Sequence, residues 1–168
     1  MAEHLIHPIP PLYHENSRVL ILGSFPSVKS REAAFFYGHP QNRFWPLLAA
    51  LTQSPVPSTI EEKRALVLSH HLALWDTIAS CEITGSSDSS IKNVVPNDLT
   101  PILEATQIRT IFCNGTISWK LYQKYLYPQT GIPAHKLPST SPANAAWTMP
   151  RLIDAWQEIL PWILSEAE

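Results

Sequence analysis

The segment FFYGHPQNRFW, residues 35–45, places aromatic rings directly beside side chains that form hydrogen bonds. Planar rings bind planar ligands by stacking, and an Asn side chain can pair with the edge of a nucleobase or position a water molecule. Enzymes that act on a base in DNA extract that base into a pocket lined with rings. Tyr37 and Phe36 are therefore candidates for stacking on a flipped base, and Asn42 is a candidate for holding a water molecule.

The same segment also has two purely structural interpretations. A Phe is an ordinary core residue, and an Asn is a good N-cap for a helix. The apolar run that follows predicts a helix from Pro46 to Thr52. A cap at Asn42 would place Pro46 at the fourth helical position, where a backbone N–H is required, and this argues against the cap.

Other familiar site motifs are missing from the sequence, which contains no G-x-G-x-x-G, no G-x-x-x-x-G-K-[ST] and no G-x-S-x-G. The seven histidines form no metal-binding pair; they are His4, His7, His14, His39, His70, His71 and His135. Cys81 and Cys113 lack metal-type spacing and are interpreted as reduced thiols. Asp76 and Asp88 are candidates to supply a functional carboxylate, but the favoured interpretations are a strand-end Asp and a turn Asp. We expect no metal site.

Short apolar runs alternate with helical patterns along the chain. Strands are predicted at Arg18–Ser24, Leu72–Thr77 and Arg109–Gly115, with a short one starting at His135. Helices are predicted at Pro46–Thr52, from a Ser58-x-x-Glu61 capping box to Ser69, at Leu99–Thr106, at Thr116–Leu126 with Thr116 as N-cap, and from near Thr148 onward. Residues 81–98 are predicted to form a long polar loop.

This alternation predicts an α/β fold with a mostly parallel sheet and helices on both faces. In such folds the ligand binds beyond the carboxyl ends of the strands. The loops after those ends include residues 23–42 and 138–146. The aromatic segment should therefore lie at the edge of the site.

Composition and charge restrict the class of protein. The chain has 168 residues, of which 45% are apolar and 15% charged, which is typical of one globular domain spanning residues 1–168. Its start does not resemble a signal peptide, and no apolar run reaches the roughly 18 residues of a membrane helix, so we expect a cytoplasmic protein without a membrane partner. The net charge is −2, yet residues 33–60 and 105–153 contain no Asp or Glu. This distribution predicts one electropositive face suited to phosphates.

Three motifs together carry a family resemblance. GSFPS after an apolar strand resembles the first motif of the uracil-DNA glycosylase superfamily, and HPQNRFW resembles a segment of its mismatch-specific members. LPSTSPANAA resembles the second motif, a loop that enters the DNA minor groove. The combination is similar to the hypoxanthine-DNA (deoxyinosine) glycosylase branch, and the resemblance covers nearly the whole chain.

This resemblance implies a three-layer α/β/α fold with a short parallel sheet of about four strands. It implies an enzyme that hydrolyses the N-glycosidic bond of a deaminated base in DNA, with no metal and no cofactor. A monomer is the default for this fold and size, and the lack of an obvious pocket amine predicts a monofunctional enzyme. Most members carry Asn or Asp at the third place of the first motif, where this chain has Phe25. In the hypoxanthine branch the water-activating role belongs to the Asn of the H-P-x-N-R-F-W segment, which is Asn42 here. Relatives have His or Asn roughly where this chain has Ser139.

The mechanism that we hypothesise for such an enzyme assigns roles to other residues. The base pocket is expected to consist of Gly23, Ser24, Phe25, Phe36 and Tyr37. Contacts with the DNA backbone are expected from Arg43, Lys136, Ser139, Ser141, Asn144 and Arg151. Lys29 is the one Lys in the first loop, and no amine is obviously placed in the pocket for a Schiff base.

Three alternatives share parts of this pattern. The first alternative is a nucleic-acid-binding domain without catalytic activity, since Phe25 cannot activate water. A hydrolase of free nucleosides is disfavoured by the basic, acid-free loops. A glycosylase of the same fold that acts mainly on uracil or mismatched thymine differs in substrate rather than in class.

Overall fold

The central element is a four-stranded parallel sheet. The computed structural model of the protein describes residues 3–84 and 90–163. The sheet has the strand order β3-β2-β6-β7, formed by β2 (Val19–Gly23), β3 (Leu72–Asp76), β6 (Thr110–Asn114) and β7 (Ala134–Leu137). In this register Gly23 lies opposite Asp76, so the ends of β2 and β3 are level. The predicted α/β fold with a short parallel sheet is confirmed.

Helices cover both faces of this sheet. They are α1 (Val28–Ala33), α2 (Phe44–Thr52), α3 (Ile60–Ser69), α4 (Thr100–Ala105), α5 (Thr116–Leu121), α6 (Tyr127–Thr130), α7 (Met149–Trp156) and α8 (Leu160–Ile163). A π-helical turn, Tyr122–Leu126, joins α5 to α6, and a 3₁₀ turn, Gln157–Ile159, joins α7 to α8. Among the described residues, none of these helices has the length and apolarity needed to cross a membrane.

The strands of the sheet divide the core into two layers. Successive side chains of a strand point to opposite faces, so Val19 and Ile21 join one buried cluster while Leu20 and Leu22 join the other. The first cluster includes residues of α2, α3 and α7, and the second includes Ile102 of α4 and residues of the π-helical turn. This division is the physical basis of the three-layer α/β/α arrangement.

A second, smaller sheet contradicts the prediction of a long loop. It is antiparallel, with the order β1-β4-β5, and consists of β1 (Glu3–Ile6), β4 (Ile78–Ile83) and β5 (Lys92–Pro96). β4 begins directly after β3, and its pairing with β5 is irregular, with two register shifts. Short strands with Pro and Asn lack the alternating pattern that identifies a strand, so the polar composition was misleading. Asp88 lies outside the described residues.

Several predicted boundaries also need correction. The capping box that starts α3 is Thr59 with Glu62, one residue later than predicted, because Thr59 has the extended backbone of an N-cap and accepts from the Glu62 N–H. Gly115 rather than Thr116 occupies the N-cap of α5. The predicted first loop contains α1, which Ser27 caps by accepting from the Ser30 N–H.

Candidate active site

The carboxyl ends of β2, β3 and β6 open into a cavity of about 640 Å³. It is lined by three segments: the loop and helix after β2, the aromatic wall (residues 35–45), and the polar loop (residues 138–147). The lining includes the predicted Gly23, Ser24, Phe25, Phe36, Tyr37, Asn42, Ser139 and Ser141. Tertiary folding therefore brings together residues more than 100 positions apart in the chain.

The aromatic wall is packed ring against ring. Tyr37 stacks on Phe44 with ring centroids 4.2 Å apart, and Phe44 meets Trp45 edge-on at 4.9 Å. The Trp45 indole donates to the backbone carbonyl of Phe36 at 3.1 Å. Phe36 belongs to the core and also lines the cavity, so its structural interpretation is confirmed, while its role in binding a base stays a prediction.

The Asn42 side chain connects the aromatic wall to the polar loop. Its Oδ1 accepts from the Phe44 N–H at 2.9 Å and from the Thr140 hydroxyl at 2.8 Å. The N-cap position of α2 is Arg43, so the N-cap interpretation of Asn42 is wrong, although the Asn42 side chain accepts from the first N–H of the helix. Because α2 begins at Phe44, Pro46 falls in the first turn, where N–H groups have no intrahelical partner. Both lone pairs of Oδ1 are used, while the Nδ2 protons meet no acceptor among the described residues.

Asn114, at the end of β6, completes this link. Its Nδ2 donates to the Thr140 hydroxyl at 3.1 Å, and its Oδ1 accepts from the Thr140 N–H at 3.0 Å. Thr140 is fully buried, so this hydroxyl passes the hydrogen bond from Asn114 on to Asn42. The position of Asn42 is therefore fixed from the parallel sheet itself. Neither Asn114 nor Thr140 was a predicted site residue; the Asn-Gly at the end of β6 was interpreted only as a strand end.

Arg43 holds the polar loop. Its guanidinium donates to the carbonyls of Ser141 at 2.8 Å, Asn144 at 3.1 Å and Trp147, and its own N–H donates to the Thr140 carbonyl at 3.1 Å. A guanidinium occupied in this way has little capacity left for a phosphate. The structure thus gives Arg43 a positioning role in place of the predicted phosphate contact.

The other residues predicted to bind DNA lie on or near the polar loop. Ser139 Oγ accepts from the Ser141 N–H at 3.1 Å, and Asn144 Nδ2 donates to the Ser139 carbonyl at 3.0 Å. Arg151 is exposed above the Trp147 ring, with its guanidinium carbon 4.2 Å from the ring centroid. Lys136 is exposed over Trp119 at 5.5 Å. Arg151 Nη1 also donates to the Ala146 carbonyl at 2.9 Å, so the Lys136 ammonium and the remaining donors of Arg151 are left to contact phosphates at the rim.

The floor of the cavity carries a carboxylate. Asp76, at the end of β3, is 5% exposed and lines the cavity. Burial raises the pKa of the nearby Tyr37 phenol far above its ordinary value, and the Asp76 charge raises it further, while Asn114 acts in the opposite direction. The Tyr37 backbone has a φ of 53°, an uncommon left-handed conformation for a non-Gly residue. The sequence offered no signal beyond the strand-end position of Asp76.

Comparison with known proteins identifies relatives of the whole chain. A family model described as the uracil DNA glycosylase superfamily matches residues 10–161. A protein named hypoxanthine DNA glycosylase from Methanosarcina acetivorans is 33% identical over 144 residues, covering 84% of this chain and 90% of the relative. One of the same name from Methanosarcina barkeri is 32% identical over 108 residues, covering 63% of this chain and 68% of the relative.

A solved structure supports the same grouping. It is a solution NMR structure from Methanosarcina acetivorans that is described, provisionally, as a uracil DNA glycosylase. It superposes with a TM-score of 0.81 at 29% identity and covers 96% of this chain and 100% of that one.

Proposed function

The chain belongs to the uracil DNA glycosylase superfamily, and from this we propose that it flips a deaminated base, most specifically hypoxanthine, out of DNA and hydrolyses its N-glycosidic bond. The observation that carries the proposal is the cavity between the aromatic wall and the polar loop. There Asn42 and Tyr37 face the same space at the ends of the parallel strands. The names of two relatives support hypoxanthine as the substrate.

The chemistry of the reaction suits this cavity. Breaking a purine N9–C1′ bond leaves a sugar resembling an oxocarbenium ion and a base that departs with negative charge. Fixed donors stabilise such a base better than mobile water does. We assign this role to backbone N–H groups of residues 23–25 and to the Ser24 hydroxyl, with Tyr37 stacking on the flipped ring and Phe36 and Phe25 forming the walls.

Asn42 is proposed to hold the attacking water. Because its Oδ1 already accepts two hydrogen bonds, the water is held through the Nδ2 protons, which donate to the water oxygen and leave a lone pair free for C1′. An amide is a poor base, but a nearly formed cation needs little activation of its nucleophile. The C1′–O bond forms as the C1′–N9 bond breaks, and the proton that the water loses is taken up, through solvent, by the departing base anion. Positioning by Asn42 is then the larger contribution.

Product and partners follow from the same assignment. Lys29 is exposed and lies 3.6 Å from Glu32, so it forms an ion pair at the rim and is not a buried amine suited to a Schiff base. We therefore propose a monofunctional enzyme that leaves an abasic site. Lys136 and Arg151 are proposed to contact phosphates, and Ser139, Ser141 and Asn144 are proposed to bind phosphates and to fill the gap left by the base. The whole chain is proposed to act as one domain, a monomer, in the cytoplasm or at the nucleoid, where its DNA lies.

A second candidate is excision of uracil, because the superposed structure is described as a uracil enzyme. Phe25 opposes it, since Phe cannot activate water at the place where most uracil-excising members carry Asn or Asp. The choice between the two candidates depends on the rate with each base.

The test is single-turnover incubation with matched duplexes that contain one hypoxanthine, uracil or xanthine, followed by alkali and a gel. We expect strand cleavage at hypoxanthine, little at uracil, and no complex trapped by borohydride. Asn42→Ala should abolish most of the cleavage, and Asn16→Ala is the matched control, because Asn16 is exposed and its side chain forms no hydrogen bond within residues 3–84 and 90–163. Cleavage at uracil alone would support the second candidate, and no cleavage on any duplex would refute both.

A further inference from the structure

A buried His–Asp pair lies under the cavity and is unused by the mechanism above. His7 Nε2 is 2.7 Å from Asp76 Oδ2, and the two side chains are 3% and 7% exposed. His7 follows β1 in the small sheet, whereas Asp76 ends β3 in the large one. The pair therefore joins the antiparallel sheet to the floor of the cavity.

The hydrogen bonds of His7 fix its tautomer. Its Nδ1 accepts from the Ile9 N–H at 3.2 Å, so Nδ1 carries no proton. The ring proton is then on Nε2, where it is donated to Asp76 Oδ2. Edge-on contacts with Phe25 at 5.7 Å and Trp75 at 6.1 Å hold the imidazole ring in this orientation.

The second carboxylate oxygen is left for a ligand. Within residues 3–84 and 90–163, no group donates a hydrogen bond to Asp76 Oδ1. A Cβ on Gly23 would lie 2.4 Å from this oxygen, so only Gly at position 23 leaves room for the carboxylate beside the cavity. Asp76 lines the cavity, and its Oδ1 is not among the fully buried side-chain atoms that lack a partner, so a molecule in the cavity can reach this oxygen. The cavity floor is thus complementary to a ligand that brings an N–H.

We propose that the His7–Asp76 pair determines base specificity: His7 holds Asp76 so that Oδ1 accepts the ring N–H that deamination creates in a purine. This inference rests on the proposed function. Hypoxanthine carries a proton on N1, whereas adenine presents a lone pair there. Against adenine, the fixed acceptor Oδ1 faces another acceptor and both remain unpaired. A site built to bind an N–H strongly rejects an analogue that lacks it.

Asp rather than Asn makes this acceptor unambiguous. A carboxylate only accepts, while an amide can present either its oxygen or its NH₂ group. Asp76 is a specificity-determining residue in this scheme and His7 is a positioning residue that acts through it. The scheme predicts that the substitutions of Asp76 change the preference between bases and not merely the rate.

The experiment compares two bases in otherwise identical duplexes: hypoxanthine, and unsubstituted purine, which has an acceptor at N1. Single-turnover rates are measured for the wild type and Asp76→Ala. We expect the wild type to prefer hypoxanthine and Asp76→Ala to lose at least ~10-fold of that preference, because a hydrogen bond to a charged group is lost only for hypoxanthine. Equal loss on both bases, or an unchanged ratio, would overturn the inference.

Asp76→Asn keeps the side-chain volume and tests the same idea if Asp76→Ala does not fold, which a thermal melt would show. His7 would hold the amide oxygen of Asn, so the NH₂ group would face the base. We expect its preference for hypoxanthine to fall below that of Asp76→Ala. A preference equal to that of the wild type would contradict the assignment of Oδ1.

His7 is tested through the same ratio. His7→Phe keeps a ring but removes the donor, and it should reduce the preference by about 3-fold or more, in line with one lost hydrogen bond; His7→Gln, which restores an N–H donor, should recover part of it. His14→Phe is the matched control, because His14 is exposed. Full preference in His7→Phe would overturn the positioning role. If the wild type cleaves hypoxanthine and only these ratios fail, the proposed function stands without this inference; if the wild type cleaves neither base, both are refuted.

Discussion

The two walls of the cavity are held in place by different forces. The aromatic wall is fixed by apolar burial: Phe44 is 1% exposed and contacts the rings of Tyr37, Trp45 and Trp156. In the polar loop Thr140 is the one buried residue. The loop is fixed instead by hydrogen bonds to its backbone, most of them from Arg43. One wall is part of the core, and the other is attached to it.

Because of this difference, substitutions in the aromatic wall and in the polar loop should affect stability and activity to different extents. Removing a ring from the aromatic wall leaves a cavity in the core, so the free energy of unfolding should fall. Removing a donor from the polar loop releases a surface segment whose position matters for DNA, so the reaction rate should fall more than stability. Asn42 and Arg43 belong to both walls, since they lie in the aromatic segment and bind the loop.

The largest expected effect is on stability, in Phe44→Ala. Truncation of a buried Phe should lower the free energy of unfolding by about 3–5 kcal/mol, measured by urea denaturation. Trp162→Ala is the control, since Trp162 is 44% exposed and its loss should change stability by about 0.5 kcal/mol or less. Similar midpoints for the two variants would show that the aromatic wall is not a core element.

Asn42→Ala should lose on the order of 10²-fold in single-turnover rate while retaining DNA affinity, as expected for a lost catalytic donor. Thr140→Val is the companion variant, because it removes the hydroxyl bound to Asn42 Oδ1 but leaves the Asn42 amide. It should lose less, about 10-fold, in line with one hydrogen bond. Near-normal cleavage by Asn42→Ala would make Asn42 only a structural link between the start of α2 and the polar loop.

Arg43→Lys tests whether the polar loop is held by the hydrogen bonds of the guanidinium or only by its positive charge. Lys retains the charge but lacks the planar fork that reaches several carbonyls. The rate should fall by about 10-fold and stability by about 1–3 kcal/mol, as for lost hydrogen bonds to a charged group. The salt dependence of DNA binding gives the control: Arg43→Ala should leave its slope unchanged, while Lys136→Ala should reduce the slope by about 1. A reduced slope in Arg43→Ala would restore its predicted phosphate contact.

The smallest effects are expected at Tyr37, where two substitutions test the ring and the hydroxyl separately. Tyr37→Ala should lose about 1–3 kcal/mol of base stacking in single-turnover assays. Tyr37→Phe should be nearly neutral at pH 7, because the buried hydroxyl has no hydrogen-bond partner among the described residues. Unchanged kinetics in Tyr37→Ala would make Tyr37 a core residue.

The raised pKa of Tyr37 adds a pH dependence to this pair. In the unfolded chain the Tyr37 phenol ionises at about pH 10, whereas in the folded protein it ionises only at higher pH. The wild type should therefore lose stability relative to Tyr37→Phe as the pH rises above the unfolded value. Chemical denaturation at pH 7 and above pH 10 would measure this difference, and a constant difference would place the hydroxyl in contact with solvent.

The small sheet shows where prediction from the sequence fails. The buried strands β2, β3 and β6 are continuous apolar runs and were found within one or two residues, because burial on both faces leaves one clear pattern. β1 and β5 carry exposed polar residues and are stabilised by pairing with β4, not by their own composition. Pairing partners far apart in the chain leave no local signal.

By itself the sequence determined the local features of the site. The three motifs gave the family, the loops that form the cavity and most of its lining, because a motif of adjacent residues is positioned by its own strand or turn. The tertiary structure alone decided how those residues are held: Arg43 and Ser141 are 98 residues apart, and His7 and Asp76 are 69 apart. Such contacts depend on strand register and loop closure, so whether a cation binds phosphate or a carbonyl, and whether an Asp is a strand end or a cavity floor, is settled only when the chain folds.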